Sequence, residues 1–436
     1  MLKSLKHYFF SVAMLMTSVV SAQNIEDIYQ QVLQSAPQLQ IDSMGVKIGL
    51  AREQQAFGAL LPQVSIRSSW TESEQLRETF SSNVTESYSG ERYSLSVDQS
   101  LINMPKYYEW KRSKEVSKQF EFKRKENASL LRLDMIGRYF HLLNAGANLA
   151  VSRENRLATE KKREHIRALY KLQRVKVTEL FELEAQYDMS MSREIDAMQA
   201  RDLARGGLGE LTNSPIVNIS PLKKTGYFME RVEDLDEWTA LSVTKNYKLK
   251  GLQKIIDAAR RNVEKMSSGH YPTLGLQLSK NKSDIGFESA STRPTLTEVA
   301  TLNLSIPIYS GGTTNARLYE ASHQLEIAQL QYELEKRKII KELKDMFLGV
   351  NGMISRVEAA NQAVKSAGKS NQAMKRSFEL GIATVSEVLD DQYLFSEAKR
   401  QHQQALHEYI IAKANLFHLS GKLDEAFIYK INNWLM

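Results

Sequence analysis

The chain has 436 residues, of which 42% are hydrophobic and 25% are charged, and its formal net charge is +7 at pH 7. These proportions are ordinary for a folded protein, and so small an excess of positive charge, dispersed along the chain, argues against nucleic-acid binding. Because the sequence contains no cysteine, it can hold no disulfide framework, no thiolate metal site and no lipid anchor on cysteine.

The first 22 residues have the order of a secretory signal peptide. Lys3 and Lys6 precede an apolar stretch, residues 9–20, and Ser21-Ala22 completes the small-residue cleavage site. A membrane anchor is the alternative, but the apolar stretch is short and is interrupted by Ser and Thr. We therefore predict cleavage after Ala22 and export of the mature chain. No later run of about 18 apolar residues occurs, so any membrane crossing would have to be made by β-strands.

The remaining sequence contains an internal repeat. An alternating segment that surrounds a proline, residues 61–66, recurs 210 residues later at 271–276, and a second alternating segment, 95–101, recurs at 302–308. A heptad-like apolar seam follows in each half, with the 3-4-3-4-3 spacing that packs one helix against another. The seam positions are Leu133, Ile136, Phe140, Leu143, Ala147 and Ala150, then Ile340, Leu343, Phe347, Val350, Ile354 and Val357.

Each half therefore predicts a helix, two strands, a long helix, a turn and a shorter helix, so the fold is mostly α with a small β part. The first helices are predicted over 24–57 and 235–266, and the polar stretches 72–91 and 282–298 are expected to be loops between strands. The predicted organisation is a signal peptide (1–22), a first repeat (23–212), an equatorial linker (213–234), a second repeat (235–422) and an equatorial tail (423–436). The first repeat is predicted to contain a hairpin at 62–102 and a tip turn at 169–177. The second is predicted to contain a hairpin at 272–309 and a tip turn at 376–385.

The predicted strands are about ten residues long, which is enough to cross a bilayer when tilted. Val64 and Ile66 share one face, whereas Gln63, Ser65 and Arg67 share the other, as in a water-filled barrel. An ordinary half-buried hairpin gives the same alternation and is favoured by the strand pattern alone. Four strands cannot close a barrel, and an open strand edge cannot lie in lipid. If these strands cross a membrane, several chains have to share one barrel.

Three motifs carry a resemblance to a known family. They are Ala-Leu-Leu-Pro-Gln at 59–63, Ser-Ile-Pro-Ile-Tyr-Ser-Gly-Gly at 305–312 and Gly-Ile-Ala-Thr-Val-Ser-Glu-Val-Leu-Asp at 381–390. With them, essentially the whole mature chain resembles the TolC family of outer-membrane efflux proteins. The resemblance implies a homotrimer in which an α-helical barrel is continued by a shared 12-stranded transmembrane β-barrel in outer-membrane lipid. It also implies docking, through a periplasmic adaptor (membrane fusion) protein, to an inner-membrane pump or ABC transporter.

The resemblance assigns a constriction to the tip of the helices. Glu387 and Asp390 lie three residues apart on one helix face and match the acidic positions whose symmetric copies form negative rings in the family. Such rings would favour cations. Two solvated surface carboxylates are the alternative, and the spacing alone favours that interpretation.

Further tip residues are implied to connect neighbouring helices in the closed state of the channel. These contact and gating positions are Thr178, Glu179, Glu182, Tyr170, Phe378 and Gly381. The chain departs from the family pattern in three ways: Gln173 replaces the first tip glycine, Ala383 stands where some members have arginine, and Phe378 lacks a hydroxyl. The closed state is therefore expected to use other contacts, such as Arg174 or Lys176 with a carboxylate.

Other function classes are less consistent with the sequence. The closest pair of histidines, His402 and His407, is five residues apart, and no HExxH, GxSxG or Walker motif occurs. We therefore expect no catalytic residues, cofactor or metal. A soluble periplasmic coiled-coil scaffold or adaptor would explain the heptads and the export but not the repeated strand pairs. The predicted function is a passive exit duct for efflux or type I secretion.

Overall fold

A computed structural model describes residues 22–79, 82–223, 229–284 and 294–435. Apart from Ala22, the predicted signal peptide lies outside the described residues. Within these ranges, none of the helices combines the length and the apolar character needed to cross a membrane.

Two very long helices are the main elements of the chain. Helix α3 (Met104–Lys171) has 68 residues and α7 (Thr313–Glu379) has 67, so each is about 100 Å long at a rise of 1.5 Å per residue. Each reverses at a short turn into a helix of half its length, α4 (Val177–Thr212) or α8 (Val385–Leu419). The shorter helices are α1 (Ile25–Ser35), α2 (Pro37–Gly58), α5 (Leu235–Lys245), α6 (Tyr247–Ser267) and α9 (Glu425–Asn432).

The prediction of one continuous helix at the start of each half was wrong. In the first half Pro37 separates α1 from α2, because proline has no N–H for the helical ladder but fits the first turn of a new helix. In the second half Asn246 separates α5 from α6. Its side-chain oxygen accepts hydrogen bonds from the N–H groups of Lys248 (2.9 Å) and Leu249 (3.2 Å) and so caps α6.

Four antiparallel strands form a single sheet in the order β1-β2-β3-β4. The strands are β1 (Gln63–Thr79), β2 (Ser82–Ile102), β3 (Thr273–Ser283) and β4 (Thr295–Ser305). The predicted loop 72–91 is wrong within the described residues, because the β1–β2 pairing continues through the polar segment to Thr79 opposite Ser82. Ladder hydrogen bonds join main-chain groups, so polar side chains do not end them. Of the second predicted loop, residues 285–293 lie outside the described residues.

The two faces of the sheet differ sharply in polarity. Residues directly opposite one another share a face, and one row across all four strands runs Val64, Val97, Leu278, Ala300. The large apolar side chains exposed on this face include Val64, Ile66, Trp70, Leu95, Leu278, Leu302 and Leu304, and one ion pair, Lys280 with Glu298, lies on the same face. The opposite face carries Gln63, Ser65, Arg67, Ser96, Gln277 and Asn303. The sheet therefore has one face suited to an apolar environment and one suited to water.

The helices lie side by side in two rows that share α3 and α7. Next to the sheet the order is α2-α3-α6-α7, and towards the turns it is α4-α3-α8-α7. Each chain therefore has two lateral edges, one formed by α2 and α4 and the other by α7.

The main hydrophobic core lies where the shorter helices meet, halfway along α3 and α7. Its largest buried side chains include those of Tyr139, Phe140 and Tyr409. The linker and the C-terminal tail close over this core. Leu222 of the linker forms an antiparallel bridge with Leu435 of the tail.

Candidate functional site at the helical tip

The two turns at the far end of the long helices share one hydrogen-bonding pattern. In the first turn, the N–H of Arg174 donates to the carbonyl oxygen of Leu169 over 3.0 Å. In the second, the N–H of Ile382 donates to the carbonyl oxygen of Ser377 over 2.9 Å. Both bonds span five residues and satisfy carbonyl groups that the ends of α3 and α7 would leave unpaired.

This pattern needs a residue with positive φ just before each donor. Gly381 has φ of 74° in the second turn, and Gln173 has φ of 53° in the first. Glycine adopts this conformation without steric cost, whereas a residue with a Cβ does so only when the surrounding turn imposes it. The first turn therefore keeps its geometry although it lacks the glycine.

A groove of about 450 Å³ separates the two tips. Apolar side chains of α3 and α4 form its floor, including Ile166 and Leu183, which belong to a small buried cluster. Three predicted tip residues, Glu179, Glu182 and Phe378, line the groove together. The structure thus places two carboxylates beside an apolar depression and brings the first repeat next to the second.

Glu387 closes a capping box at the start of α8. Its carboxylate accepts hydrogen bonds from the backbone N–H of Thr384 (2.7 Å) and from the Thr384 hydroxyl (2.8 Å), while its own N–H donates to that hydroxyl oxygen. These bonds to the ionised form lower the pKa of Glu387 below its ordinary value. The side chain remains exposed, so one residue both holds the helix terminus and presents a negative charge.

Asp390 is exposed on the next turn of α8, and its charge acts on Lys162 of α3. Burial lowers the pKa of Lys162 to about 8, and the Asp390 carboxylate opposes that shift while Lys375 of α7 adds to it. The structure therefore brings one of the predicted constriction carboxylates within electrostatic reach of a lysine of the first repeat.

The other predicted tip residues are dispersed over the surface of the tip. Thr178, Tyr170 and Gly381 are exposed and do not line the groove. Arg174 and Lys176, proposed as alternative locking cations, pair with no carboxylate in the part of the chain that the structure describes. Within one chain, the predicted site is thus only partly assembled.

Two contacts at the tip were not anticipated from the sequence. Arg167 of α3 forms an ion pair of 2.8 Å with Glu184 of α4, and the guanidinium of Arg163 stacks 3.7 Å from the ring centre of Tyr187. Both hold the first tip hairpin together. They depend on the helix register, which spacing along the chain does not reveal across a turn.

Among the residues described, no cluster of histidine, aspartate and glutamate is arranged to hold a metal ion.

Comparisons with known proteins agree with this architecture. A family model described as outer membrane efflux protein matches residues 242–422. The outer membrane protein TolC of Escherichia coli is 25% identical over 431 residues, which cover 96% of this chain and 86% of that protein. The alkaline protease secretion protein AprF of Pseudomonas aeruginosa is 27% identical over 57% of this chain and 52% of its own length.

The fold also matches solved outer-membrane channels. The structure of the Campylobacter jejuni CmeC outer membrane channel has a TM-score of 0.81 at 12% identity, covering 94% of this chain and 89% of that one. Together these findings confirm the mostly α fold and the outer-membrane location predicted from the sequence. Residues 242–422 thus match the outer membrane efflux protein family, and the chain is similar over most of its length to the outer membrane protein TolC of Escherichia coli.

Proposed function

We propose that this chain is one subunit of a homotrimeric outer-membrane channel that provides a passive exit duct for efflux or type I secretion. The observation that carries the proposal is that a single chain has two open lateral edges. Among the residues that the structure describes, both the sheet and the helical rows end without a neighbour on each side. Contact with further copies of the chain would cover the open edges of the sheet and of the helical rows.

The sheet edges support a shared barrel. Within the described residues, β1 pairs only with β2 and β4 pairs only with β3, so the outer edges of β1 and β4 are unpaired. Unpaired main-chain groups are too costly to leave in lipid, and closure of the sheet removes them. Three copies of the four-stranded sheet would give the 12-stranded barrel that the family resemblance implies.

The helical edges support the same assembly. Next to the sheet, the α2 edge exposes large apolar side chains such as Ile41 and Ile48, and the α7 edge exposes Leu330 and Leu334. Because these two edges are different surfaces, each copy would place its α2 and α4 side against the α7 side of the next. Such a head-to-tail contact gives a closed ring when the rotation between copies closes.

The order of elements supports an internal duplication. Two helices, two strands, a long helix and a shorter helix follow one another in 23–212, and the same order follows in 235–422. With the linker 213–234 and the tail 423–436 at the level of the core, the two halves would contribute equivalent hairpins to the barrel and equivalent helices to the tunnel.

At the tip, we propose that Glu387 and Asp390 form the periplasmic constriction, as rings of carboxylates in the trimer. Groups at the tip and in the groove between the two turns would set the contacts that hold the closed state: Thr178, Glu179, Glu182, Tyr170, Phe378 and Gly381. Docking of a periplasmic adaptor, coupled to an inner-membrane pump or ABC transporter, would shift the population towards an open tip. The energy for transport comes from that partner.

A soluble periplasmic scaffold or adaptor is the alternative. Against it, the sheet exposes several large apolar side chains on one face, including Ile66 and Trp70, which are 77% and 70% exposed. A face of this kind in water would be a site of aggregation.

The test is the oligomeric state and conductance of the purified full-length protein. We expect extraction from the outer membrane by detergent, a native mass of three chains and discrete conductance steps in planar bilayers. Leu330→Glu should prevent assembly, because it places a charge on the α7 edge. Gln329→Glu, which adds the same charge at an adjacent exposed position, should assemble normally. A soluble monomer with no conductance would overturn the proposal.

A further inference from the structure

The polar face of the sheet carries two arginines, Arg67 of β1 and Arg92 of β2, in consecutive rows of that face. The first row is Arg67, Ser94, Asn281, Thr297, and the second is Ser69, Arg92, Ser283, Thr295. The second row is the last that crosses all four strands, since β3 ends at Ser283 and β4 begins at Thr295. Both arginines therefore lie at the end of the four-stranded part that is farther from the helices.

Arg67 and Arg92 are near neighbours on adjacent strands. Because Arg67 pairs with Ser94, Arg92 is displaced from it by two residues along the strand and by one strand across the sheet. At about 3.4 Å per residue and about 4.8 Å between strands, the two Cα atoms are about 8 Å apart. An anion near this pair is attracted by both charges, and a cation is repelled by both.

Acidic side chains do not neutralise these arginines within the described part of the chain. Both arginine side chains are exposed, and neither lies within ion-pairing distance of a carboxylate among the residues described. The acidic residue that this face carries in the four-stranded part is Asp98, which is four residues from the Arg67 row along β2, or about 14 Å. The ion pair of the sheet, Lys280 with Glu298, lies on the opposite face.

A neighbouring copy would not neutralise the arginines either. In a shared barrel, β1 of one copy would pair with β4 of the next, because these strands form the two open edges of the sheet. All of β4 lies within the described range 294–435, and its polar face carries only uncharged residues: Thr295, Thr297, Val299, Thr301, Asn303 and Ser305. Three copies would therefore place six guanidinium groups around the lumen without carboxylate partners in the same rows.

The width of the lumen determines how far these charges act. Twelve strands about 4.8 Å apart and tilted by about 40° would give a backbone radius of about 12 Å. The Debye length is about 30 Å in 0.01 M salt and about 10 Å in 0.1 M salt, but only about 3 Å in 1 M salt. The field of the arginines would therefore fill the lumen in dilute salt and be confined to the wall in concentrated salt.

We propose that Arg67 and Arg92 form a cationic ring at the outer end of the barrel, which attracts small anions and repels cations. The two residues are thus determinants of ion specificity. The charge of this ring is opposite to that of the carboxylates proposed at the helical tip, so the two ends of the duct would select ions of opposite charge. The proposal rests on the proposed function, because the polar face lines a lumen only when several copies close a barrel.

The experiment measures the reversal potential of the full-length protein in planar bilayers between 0.1 M and 0.01 M KCl. Arg67→Gln with Arg92→Gln should raise the potassium-to-chloride permeability ratio about threefold, because a wall potential of about one kT changes the local ion concentrations by that factor. Arg67→Lys with Arg92→Lys keeps the charges and should retain the ratio of the parent. Lys282→Gln is the matched control, because Lys282 lies between the two arginine rows but on the opposite face, and it should also retain that ratio.

The effect of the arginines should disappear in about 1 M KCl, because screening then confines their field to the wall. An unchanged ratio for the glutamine variant in dilute salt, or an equal change in Lys282→Gln, would overturn the ring. A change of the same size in 1 M KCl would also overturn it, because an altered barrel and not the charge would then be the cause. Conductance separates this proposal from the proposed function. A parent protein that conducts but whose permeability ratio does not depend on the arginines refutes the ring alone, whereas a parent protein that forms no channel refutes the function.

Discussion

Gln173 and Gly381 have the same left-handed backbone conformation at equivalent points of the two tip turns, with φ of 53° and 74°. The two positions are 208 residues apart, close to the offset that relates the two halves of the sequence. The left-handed conformation costs a residue with a Cβ about 1–2 kcal/mol relative to glycine. The first turn is therefore the more strained of the two.

This difference predicts opposite effects of exchanging the two residues. Gln173→Gly should stabilise the first turn by about 1 kcal/mol, and Gly381→Gln should destabilise the second by about the same amount. Amide hydrogen exchange of the two turns should become about fivefold slower in the first variant and faster in the second. Gln186→Gly, inside α4, is the control and should speed exchange, because glycine weakens a helix interior. Faster exchange in Gln173→Gly would contradict the argument.

A buried histidine predicts loss of stability in mild acid. His407 is 2% exposed, lies against the ring of Phe140 and is hydrogen bonded to Asn144. Burial lowers the pKa of His407 from 6.5 to about 4. Since the folded pKa is the lower one, the unfolded chain binds the extra proton between pH 6.5 and 4, and the folded state loses up to about 3 kcal/mol over that range.

The measurement is the thermal midpoint at pH 7.5 and at pH 5. We expect His407→Gln to be less stable than the parent at pH 7.5 but to lose less stability on acidification. His323→Gln, on an exposed part of α7, should leave the pH dependence as it is in the parent protein. An identical acid loss in parent and His407→Gln would assign the pH dependence to other groups.

Much of the fold could be predicted because each element has a local signal. The alternation around Val64 and Ile66 predicts a two-faced strand, and the seam containing Leu343 and Val350 predicts a buried helix face. The extension of the hairpin to Thr79 could not be predicted, because main-chain pairing with the neighbouring strand, and not side-chain polarity, carries the strands through the polar segment.

The candidate site was less predictable than the fold. The capping box of Thr384 and Glu387 is readable from the spacing alone, since Thr-x-x-Glu before a helix is its signature. The proximity of Lys162 to Asp390 is not readable, because these residues are 228 positions apart and meet only through the packing of α3 on α8. The pore that Glu387 and Asp390 are proposed to face would form only when further copies of the chain assemble.

The hydrogen bonds between the equatorial linker and Tyr409 of α8 predict how a substitution at Tyr409 affects the linker. The Tyr409 hydroxyl accepts a hydrogen bond from the N–H of Glu230 (3.0 Å), donates to the carbonyl oxygen of the same residue (3.1 Å) and lies 3.3 Å from the Lys413 ammonium. Tyr409→Phe removes both hydrogen bonds to the main chain of Glu230, each of which contributes about 1 kcal/mol. We expect faster proteolysis between residues 229 and 234.

Tyr332→Phe is the matched control, because it removes a hydroxyl from a half-buried position of α7 away from the linker. It should leave the cleavage rate of the linker as in the parent. Equal cleavage rates in the parent and Tyr409→Phe would show that the linker is held by its apolar contacts alone.

The paired carboxylates predict the ion selectivity of the proposed channel. Glu387→Gln with Asp390→Asn should lower the preference for cations about fivefold, which corresponds to about 1 kcal/mol of lost attraction. The measurement is the reversal potential in planar bilayers under a salt gradient. An unchanged potential would remove both residues from the constriction.

Glu387 also caps α8, so Glu387→Gln alone cannot separate lost charge from a loosened helix end. Thr384→Ala provides the separation, because it removes the hydroxyl of the capping box and keeps both carboxylates. If charge determines selectivity, Thr384→Ala should retain the cation preference at pH 7. The hydrogen bonds from Thr384 lower the pKa of Glu387, so the parent should keep its preference to a lower pH than the alanine variant does. If Thr384→Ala loses the preference at pH 7 as completely as the double carboxylate variant, the position of the helix end, and not the charge, sets the selectivity.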